Sequence, residues 1–551
     1  MNTSAPGALA RTLLAVVGLS WGVGCATPQL GDKALPERPA NLRAAFDMMP
    51  AAADARVRLL EDNIDSWVAR MNALESAKHT IDVQYFIVEA DAHGLALLGL
   101  LAEKARAGVQ VRLMVDARGS VSLIRSADRF MLQEVKRAGA DVRVYNPILW
   151  QLSDTVARGD LRAVVASNHD KMIIVDGRTV VAGGRNMSKD YLNDPRDQKN
   201  AFIDMDAFYE GASAAARYTE AFTTEFGGKH TSPLLVEPGV DGERALHLAL
   251  AAMRQWLRDP AHTAEELASF DAEDAAATAA RVEAVGLAVE GSIVGAEKDI
   301  PADSVRDIVG RVARHLAKAA RLRGAAGKAV PAITDDAVAF RLLDTRSAES
   351  GHLKNTVNEN LILAVLAAEK RVVIQSPYFV LTERGIRVLE LVAARGVAIT
   401  ILTNSPASSD SPPTQAAFLR QWPGLLARVP TARLFVVAEG RLMHAKVGVV
   451  DDQIAFVGSY NLDPLSAGVN GEVVGALWST GIAQHITELI DTRIAGGGVV
   501  EYTLAKDTGG NVVVKDGAPV VGFGPEQHCT PEQLKAAKDM EPVLELLAPL
   551  L

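Results

Sequence analysis

The chain is short of four things, and each shortage narrows what it can be. It has only two cysteines, Cys25 and Cys529, in 551 residues. With Cys25 committed to another use, Cys529 has no intramolecular partner, so no disulfide framework is expected. Positive charge is not in excess: the net charge is −10 and the pI about 5.7. That argues against a broad basic surface for nucleic acid, although a phosphate site can still be locally positive. The amino-terminal apolar run, Leu13 to Leu19 with a weak continuation to Val23, is too short to span a bilayer. A Cys/His cluster of the kind that holds zinc is also missing, so neither a metal nor another cofactor is expected.

What is present is a short pattern that occurs twice. His169-Asp170-Lys171-Met172-Ile173-Ile174-Val175-Asp176 and His444-Ala445-Lys446-Val447-Gly448-Val449-Val450-Asp451 both read H-x-K-x-x-x-x-D. In each copy a Gly lies 14 positions past the His (Gly183, Gly458) and an Asn 17 past it (Asn186, Asn461). The 11 histidines and the abundance of basic and acidic residues give about 0.14 chance matches to the bare pattern. Two copies sharing a Gly and an Asn are therefore not accidental.

In a strand, residues i and i+2 face the same way, so each His shares a face with its Lys while Asp170 points to the other. The apolar run predicts a buried strand. Asp176-Gly177 and Asp451-Asp452 predict the turn of a β-hairpin. Two imidazoles and two ammonium groups brought together suit attack on a phosphodiester. A neutral imidazole is a nucleophile, and a protonated one gives its proton to a leaving alkoxide. Ammonium groups, with Asn and Ser donors, stabilise the charge of the transition state. Gly183 and Gly184 allow backbone to approach a ligand closely, and Asn186, Ser188, Asn461 and Ser459 are candidate donors to phosphate.

The duplicated H-x-K-x-x-x-x-D resembles the signature of the phospholipase D superfamily, over about residues 55–480. The Gly-Gly-Arg-Asn-Met-Ser stretch after the first motif points to the bacterial cardiolipin-synthase-like and phospholipase D-like members. The resemblance implies that the two motifs meet at a pseudo-two-fold interface and form one site within a monomer. It implies a covalent phosphohistidine, with His169 as nucleophile and His444 as acid and then base. It implies that Lys171 and Lys446 bind phosphate. Asp176 and Asp451 complete the motifs from the turns, behind the reacting groups. Glu472 resembles the carboxylate that orients the His of its own half, and Asp204 is the counterpart candidate for His169.

The rest of the chain fits an α/β protein built by internal duplication, in two similar lobes, each a mostly parallel sheet flanked by helices. Residues 1–25 predict a secretory signal with Arg11 as its only charge. It ends in Gly22-Val23-Gly24-Cys25, which resembles a bacterial lipoprotein box except at Gly22. This makes Cys25 a lipidation site and the protein an exported, membrane-anchored one. Residues 26–54 read as a tether, 55–209 as the first lobe, 210–350 as a mainly helical insertion, 351–480 as the second lobe and 481–551 as an extension. Within the first lobe, Val57–Ala77 predicts an amphipathic helix, and 201–208 a strand with Asp204 and Asp206 on one face. The reading is a phosphodiester-cleaving or phosphatidyl-transferring enzyme acting on phospholipid at a membrane surface. The competing readings are a secreted metal-independent endonuclease of the same superfamily, which would want a basic groove, and an inactive scaffold.

Overall fold

The structure, a computed structural model, describes residues 34–125, 129–147, 166–195, 198–236, 336–346 and 355–542, together with Leu246, Leu250, Thr334 and Leu544. The signal segment, Cys25, most of the 146–168 loop, most of the 210–350 insertion and most of the apolar carboxyl-terminal segment lie outside the described residues.

The chain enters through a short helix α1 (Leu42–Met48), capped by Asn41, and the strand β1 (Ala52–Leu60). The tether and the predicted helix start are corrected here. Alternating small, charged and apolar residues from Ala52 to Leu60 satisfy a period of two. The helix α2 (Asn63–Ser76) begins only where the Asp62 carboxylate accepts the N–H groups of Ile64 and Asp65. Then follow β2 (Thr80–Tyr85), α3 (Ala92–Arg106), β3 (Gln110–Asp116), α4 (Arg129–Arg137) and β4 (Asp141–Tyr145). The first motif forms the hairpin β5 (Lys171–Val175) and β6 (Thr179–Gly183), followed by β7 (Asp206–Glu210), α5 (Ala212–Phe226) and β8 (Thr231–Pro233).

The second lobe repeats this order. It runs β9 (Val338–Thr345), α6 (Thr356–Ala367), β10 (Arg371–Gln375), α7 (Glu383–Ala393), β11 (Ala398–Asn404), α8 (Pro412–Arg428) and β12 (Ala432–Val437). The second motif hairpin is β13 (Val447–Val450) and β14 (Ile454–Gly458), followed by β15 (Glu472–Trp478), α9 (Thr480–Ala495) and β16 (Val499–Leu504). The lobes are therefore larger than the sequence boundaries. The helix α5 and strand β8, and likewise α9 and β16, complete their sheets and are not insertion or extension.

The first sheet has the order β8-β4-β3-β2-β5-β6-β7-β1 and the second β16-β12-β11-β10-β13-β14-β15-β9. Both are mixed. The parallel part is confined to three strands per lobe, which are joined by helical crossovers. The rest is antiparallel, because each motif folds back on itself at a tight turn. Asp176 and Gly177 have φ of 50° and 57°, and Asp451 and Asp452 have 51° and 56°, as the two central residues of such a turn require. The two sheets are continuous through β1. Its residues Ala52–Ala55 pair with Arg341–Val338 of β9, and Arg56–Leu60 pair with Glu210–Asp206 of β7.

Strand alternation divides the interior into three cores. Ile173 and Val175 face an outer core with Trp67 and Leu97. Val450 and Phe456 face the corresponding outer core with Ile362 and Trp422. Met172, Ile174, Val447 and Val449 face inward, where the lobes meet over Tyr209, Phe340 and residues of α5 and α9. Among the described residues no helix is long and apolar enough to cross a membrane.

Candidate active site

Backbone contacts between the lobes bring the two motifs together. Asn168, just before His169, forms a parallel bridge with Gly471, just before Glu472; Met443, just before His444, bridges Ile203, just before Asp204. Two hydrogen bonds lock these crossings, His169 N–H to Gly471 O at 2.9 Å and His444 N–H to Ile203 O at 2.6 Å. Each motif His is thereby set beside the carboxylate of the opposite lobe. His169 Nδ1 lies 3.0 Å from Glu472 Oε2, and His444 Nδ1 lies 2.7 Å from Asp204 Oδ2. The expected pairing within each half is thus corrected to a crossed one. The physical reason is that the start of β15 faces the first lobe at the bridge, and the approach to β7 faces the second.

Both carboxylates are tied down. Glu472 accepts the hydroxyls of Ser459 (2.5 Å) and Ser466 (2.6 Å), and Asp204 accepts the N–H of Met205 (2.7 Å). Each Nδ1 is thereby engaged by a carboxylate, and Nε2 is the nitrogen of each ring that has no carboxylate partner. Burial pushes His169 down to about 4, against the opposing pull of Glu472. Burial and then the Lys446 charge lower His444 as well. Burial alone would raise Asp204, but His444 and Lys446 outweigh it and hold the carboxyl at about 2. Glu472 is likewise kept below its ordinary value, because His169 and Lys171 overcome the effect of burial.

Lys171 and Lys446 are buried on the same face as their histidines, as the i, i+2 spacing predicts. Burial lowers Lys171 to about 7 and Lys446 to about 8. Lys446 Nζ lies 2.7 Å from His444 Nδ1. Aromatic rings wall the site: Phe86 packs edge-on against His169 and lies 5.2 Å from Lys171 Nζ. Tyr191 packs edge-on against His444, with its hydroxyl 3.3 Å from Nε2, and Phe202 stacks on the same ring. These three were missed in the sequence. Tyr191 and Phe202 sit in the stretch between β6 and β7, where no repeat in the second half marks them.

The remaining candidates separate. Asp176 accepts the N–H groups of Lys78, His79 and Thr80 within 2.9 Å, and Asp451 those of Glu369, Lys370 and Arg371. The motif Asp residues therefore anchor the start of β2 and β10 at the far end of the hairpin, away from the reacting groups, and are not catalytic residues. The Ser459 hydroxyl is committed to Glu472, so it serves that carboxylate rather than phosphate. The Asn186 amide oxygen accepts the N–H of Ile87 at 3.2 Å; Asn461 is buried, with its amide oxygen unpartnered by protein. Ser188 is buried at the start of a short helix.

Gly183, Gly184 and Gly458 do not face a ligand. A Cβ on them would strike Asp206, Asp204 and Val473–Val474, so they serve close packing of the neighbouring strand. Asp206 belongs behind the site, in a buried cluster with Arg70 and Arg185, both 3.0 Å from Oδ2. Arg185 also donates to the carbonyl of Asp204 and so braces it. Asp170 faces away from the motif His and Lys, toward Gln84, and burial with Glu225 nearby raises it well above its ordinary value.

Two lobes related by duplication, with one buried site made from a His-Lys pair of each, define a phospholipase D-like protein. A family model described as "Cardiolipin synthase, PLD-like domain" matches residues 71–224 and 361–494, more than half of the chain, and the chain belongs to that family. It is 27% identical over 454 residues to cardiolipin synthase C of Escherichia coli K12, covering 79% of this chain and 83% of that protein. It is 26% identical over 452 residues to cardiolipin synthase 1 of Bacillus anthracis, covering 81% and 68%. The solved phosphatidylserine synthase of Haemophilus influenzae Rd KW20 shares the fold, with a TM-score of 0.55 at 13% identity over 92% of this chain and 98% of that one.

Proposed function

We propose that the protein is a phosphatidyltransferase that joins phospholipids into cardiolipin through a phosphohistidine on His169. The observation that carries this is the pair of crossed His–carboxylate contacts with two buried lysines, in a chain similar to cardiolipin synthases. Neutral His169 attacks the phosphorus through Nε2, and the P–O bond to the departing glycerol breaks. The alkoxide takes a proton from protonated His444, whose positive charge Asp204 stabilises. A glycerol hydroxyl of a second phosphatidylglycerol then loses its proton to His444 and attacks phosphorus, and the P–N bond breaks. Lys171 and Lys446 hold the non-bridging oxygens through both steps. The low basicity of His169 suits the nucleophile, because it stays unprotonated at neutral pH.

The same reading makes the protein an exported monomer held on the membrane through acylated Cys25. Labelled fatty acid incorporated by wild type and not by Cys25→Ala tests the anchor. For the reaction, protein lacking its first 25 residues is incubated with phosphatidylglycerol and phosphatidylethanolamine vesicles, and lipids are read by mass spectrometry. Cardiolipin formed by wild type and not by His169→Ala supports transfer. Phosphatidic acid alone would make the protein a hydrolase, and unchanged lipids would overturn the lipid reading in favour of nuclease assays.

A further inference from the structure

Comparison of the two lobes with each other exposes a site that neither motif accounts for. Three sets of equivalent contacts fix the correspondence. The turn aspartates Asp176 and Asp451 collect the N–H groups of residues 78–80 and 369–371. The helix α2 closes with Ala77 N–H on Leu74 O, and α6 with Ala368 N–H on Val365 O. Asp91 caps α3 at Gly94, and Thr382 caps α7 at Gly385. By this register Trp67, Arg70, Ile173 and Arg185 of the first lobe match Asn358, Leu361, Gly448 and Tyr460 of the second. The four first-lobe side chains are fully buried and fill the space between α2 and the sheet.

Their second-lobe replacements leave that space open. Two small adjoining clefts, of about 80 and 90 Å³, lie between α6, α7 and the sheet, and both are lined by Leu361, Val365, Ile374, Tyr460 and Leu462. The inner cleft runs under Gly448, which pairs with Ile374 across the strands. Lys446, two residues before Gly448 on the same strand face, stands at its end. The outer cleft ends at a polar rim of Asn358, Thr382 and Asp463. A glycine in the middle of a central strand is otherwise unfavourable, and here it leaves the wall of the inner cleft without a side chain at that position.

We infer that this cleft holds one acyl chain of the phospholipid whose phosphate lies between Lys171 and Lys446. The inference rests on the phospholipid reading above and specifies which lobe grips the chain. The lining is mainly apolar, and the charged member of the inner cleft is the lysine assigned to phosphate. A diacyl phosphate ester has the same order of parts.

The test has two parts. Monomeric dihexanoyl- and dioctanoyl-phosphatidylglycerol differ by two methylenes per chain, and each buried methylene is worth about four-fold in binding. Wild type is expected to favour the longer substrate roughly ten-fold in kcat/KM, and Gly448→Ile to favour it no more than about two-fold. A Cβ at 448 meets nothing closer than Phe456 Cδ2 at 3.7 Å, so the backbone there accepts a side chain, whose branches are placed at the inner cleft. An unchanged preference in Gly448→Ile overturns the proposal. Independently, wild type is irradiated with phosphatidylglycerol carrying a diazirine on one acyl chain, and adducts are mapped while turnover is followed. Adducts within 356–367, 372–389 or 446–462 support the cleft. Turnover with adducts only elsewhere refutes it and leaves the enzyme assignment standing, whereas cleft adducts without turnover support the cleft and refute that assignment.

Discussion

The crossed pairing is tested most sharply by Glu472→Gln. Glu472 is fully buried, and its Oε2 sits 3.0 Å from His169 Nδ1, so water does not screen the contact. The substitution keeps the shape and an acceptor oxygen but removes the charge. A hydrogen bond to a charged partner contributes about 1.5–3 kcal/mol, which at 1.4 kcal/mol per decade is roughly a 10- to 150-fold loss of kcat/KM. Because Glu472 raises the basicity of His169, removing its charge also lowers His169 further below about 4. Two readouts are needed. Initial rates of lipid turnover give the loss, and ring-nitrogen NMR of histidine-labelled protein shows which imidazole feels it. The ring signals of His169 are expected to shift while those of His444 stay in place; Asp204→Asn gives the reverse. A loss below three-fold, or movement of His444 in Glu472→Gln, would refute the crossing.

Three further outcomes are expected. The pH profile of kcat/KM falls on the alkaline side as Lys171 and Lys446 lose their charges through about 7 and 8; on the acid side His169 remains unprotonated down to about 4. A profile that rises steadily from pH 6 to 9 contradicts this. Asp451→Ala leaves three N–H groups without their acceptor and costs about 1–3 kcal/mol in urea unfolding, with kcat changed less than three-fold. A hundred-fold drop in kcat in a folded variant would return the motif Asp to the chemistry. Asp206→Asn strands the buried charges of Arg70 and Arg185 and lowers stability by about 3–5 kcal/mol, visible as a reduced urea midpoint.

The motif hairpins were legible because everything that makes them is local. Spacing puts His and Lys on one face, an apolar run buries the strand, and the Asp pair or Asp-Gly turns it. The duplicated helix–strand order was legible for the same reason. The crossing of Glu472 and Asp204 was not, since sequence distance says nothing about which lobe a strand end faces. That is decided by the bridges at Asn168–Gly471 and Met443–Ile203, between residues hundreds of positions apart. Ser459 was misplaced because a hydroxyl beside a motif offers a proton equally to phosphate or to a buried carboxylate, and only the packing chooses. The strand β1 was hidden by Leu59 and Leu60 at its end, which fit a helical stripe as well as a strand until the Asp62 cap is seen. The parallel content was overstated because the hairpin strands and the outer strands, all antiparallel, carry the same apolar composition as the crossover strands.

The shared strand β1 also dictates how the molecule must come into being. Its first four residues cannot find their partners until β9 has been synthesised, some 280 residues later. At a translation rate of about 5–20 residues per second that is a wait of roughly 15–60 s. During that time the first lobe carries a bare strand end able to pair with any neighbouring chain. A gene fragment ending after Val236 would keep that edge for good, so it is expected to aggregate. The two halves, for all their likeness, are one piece from the ribosome onward.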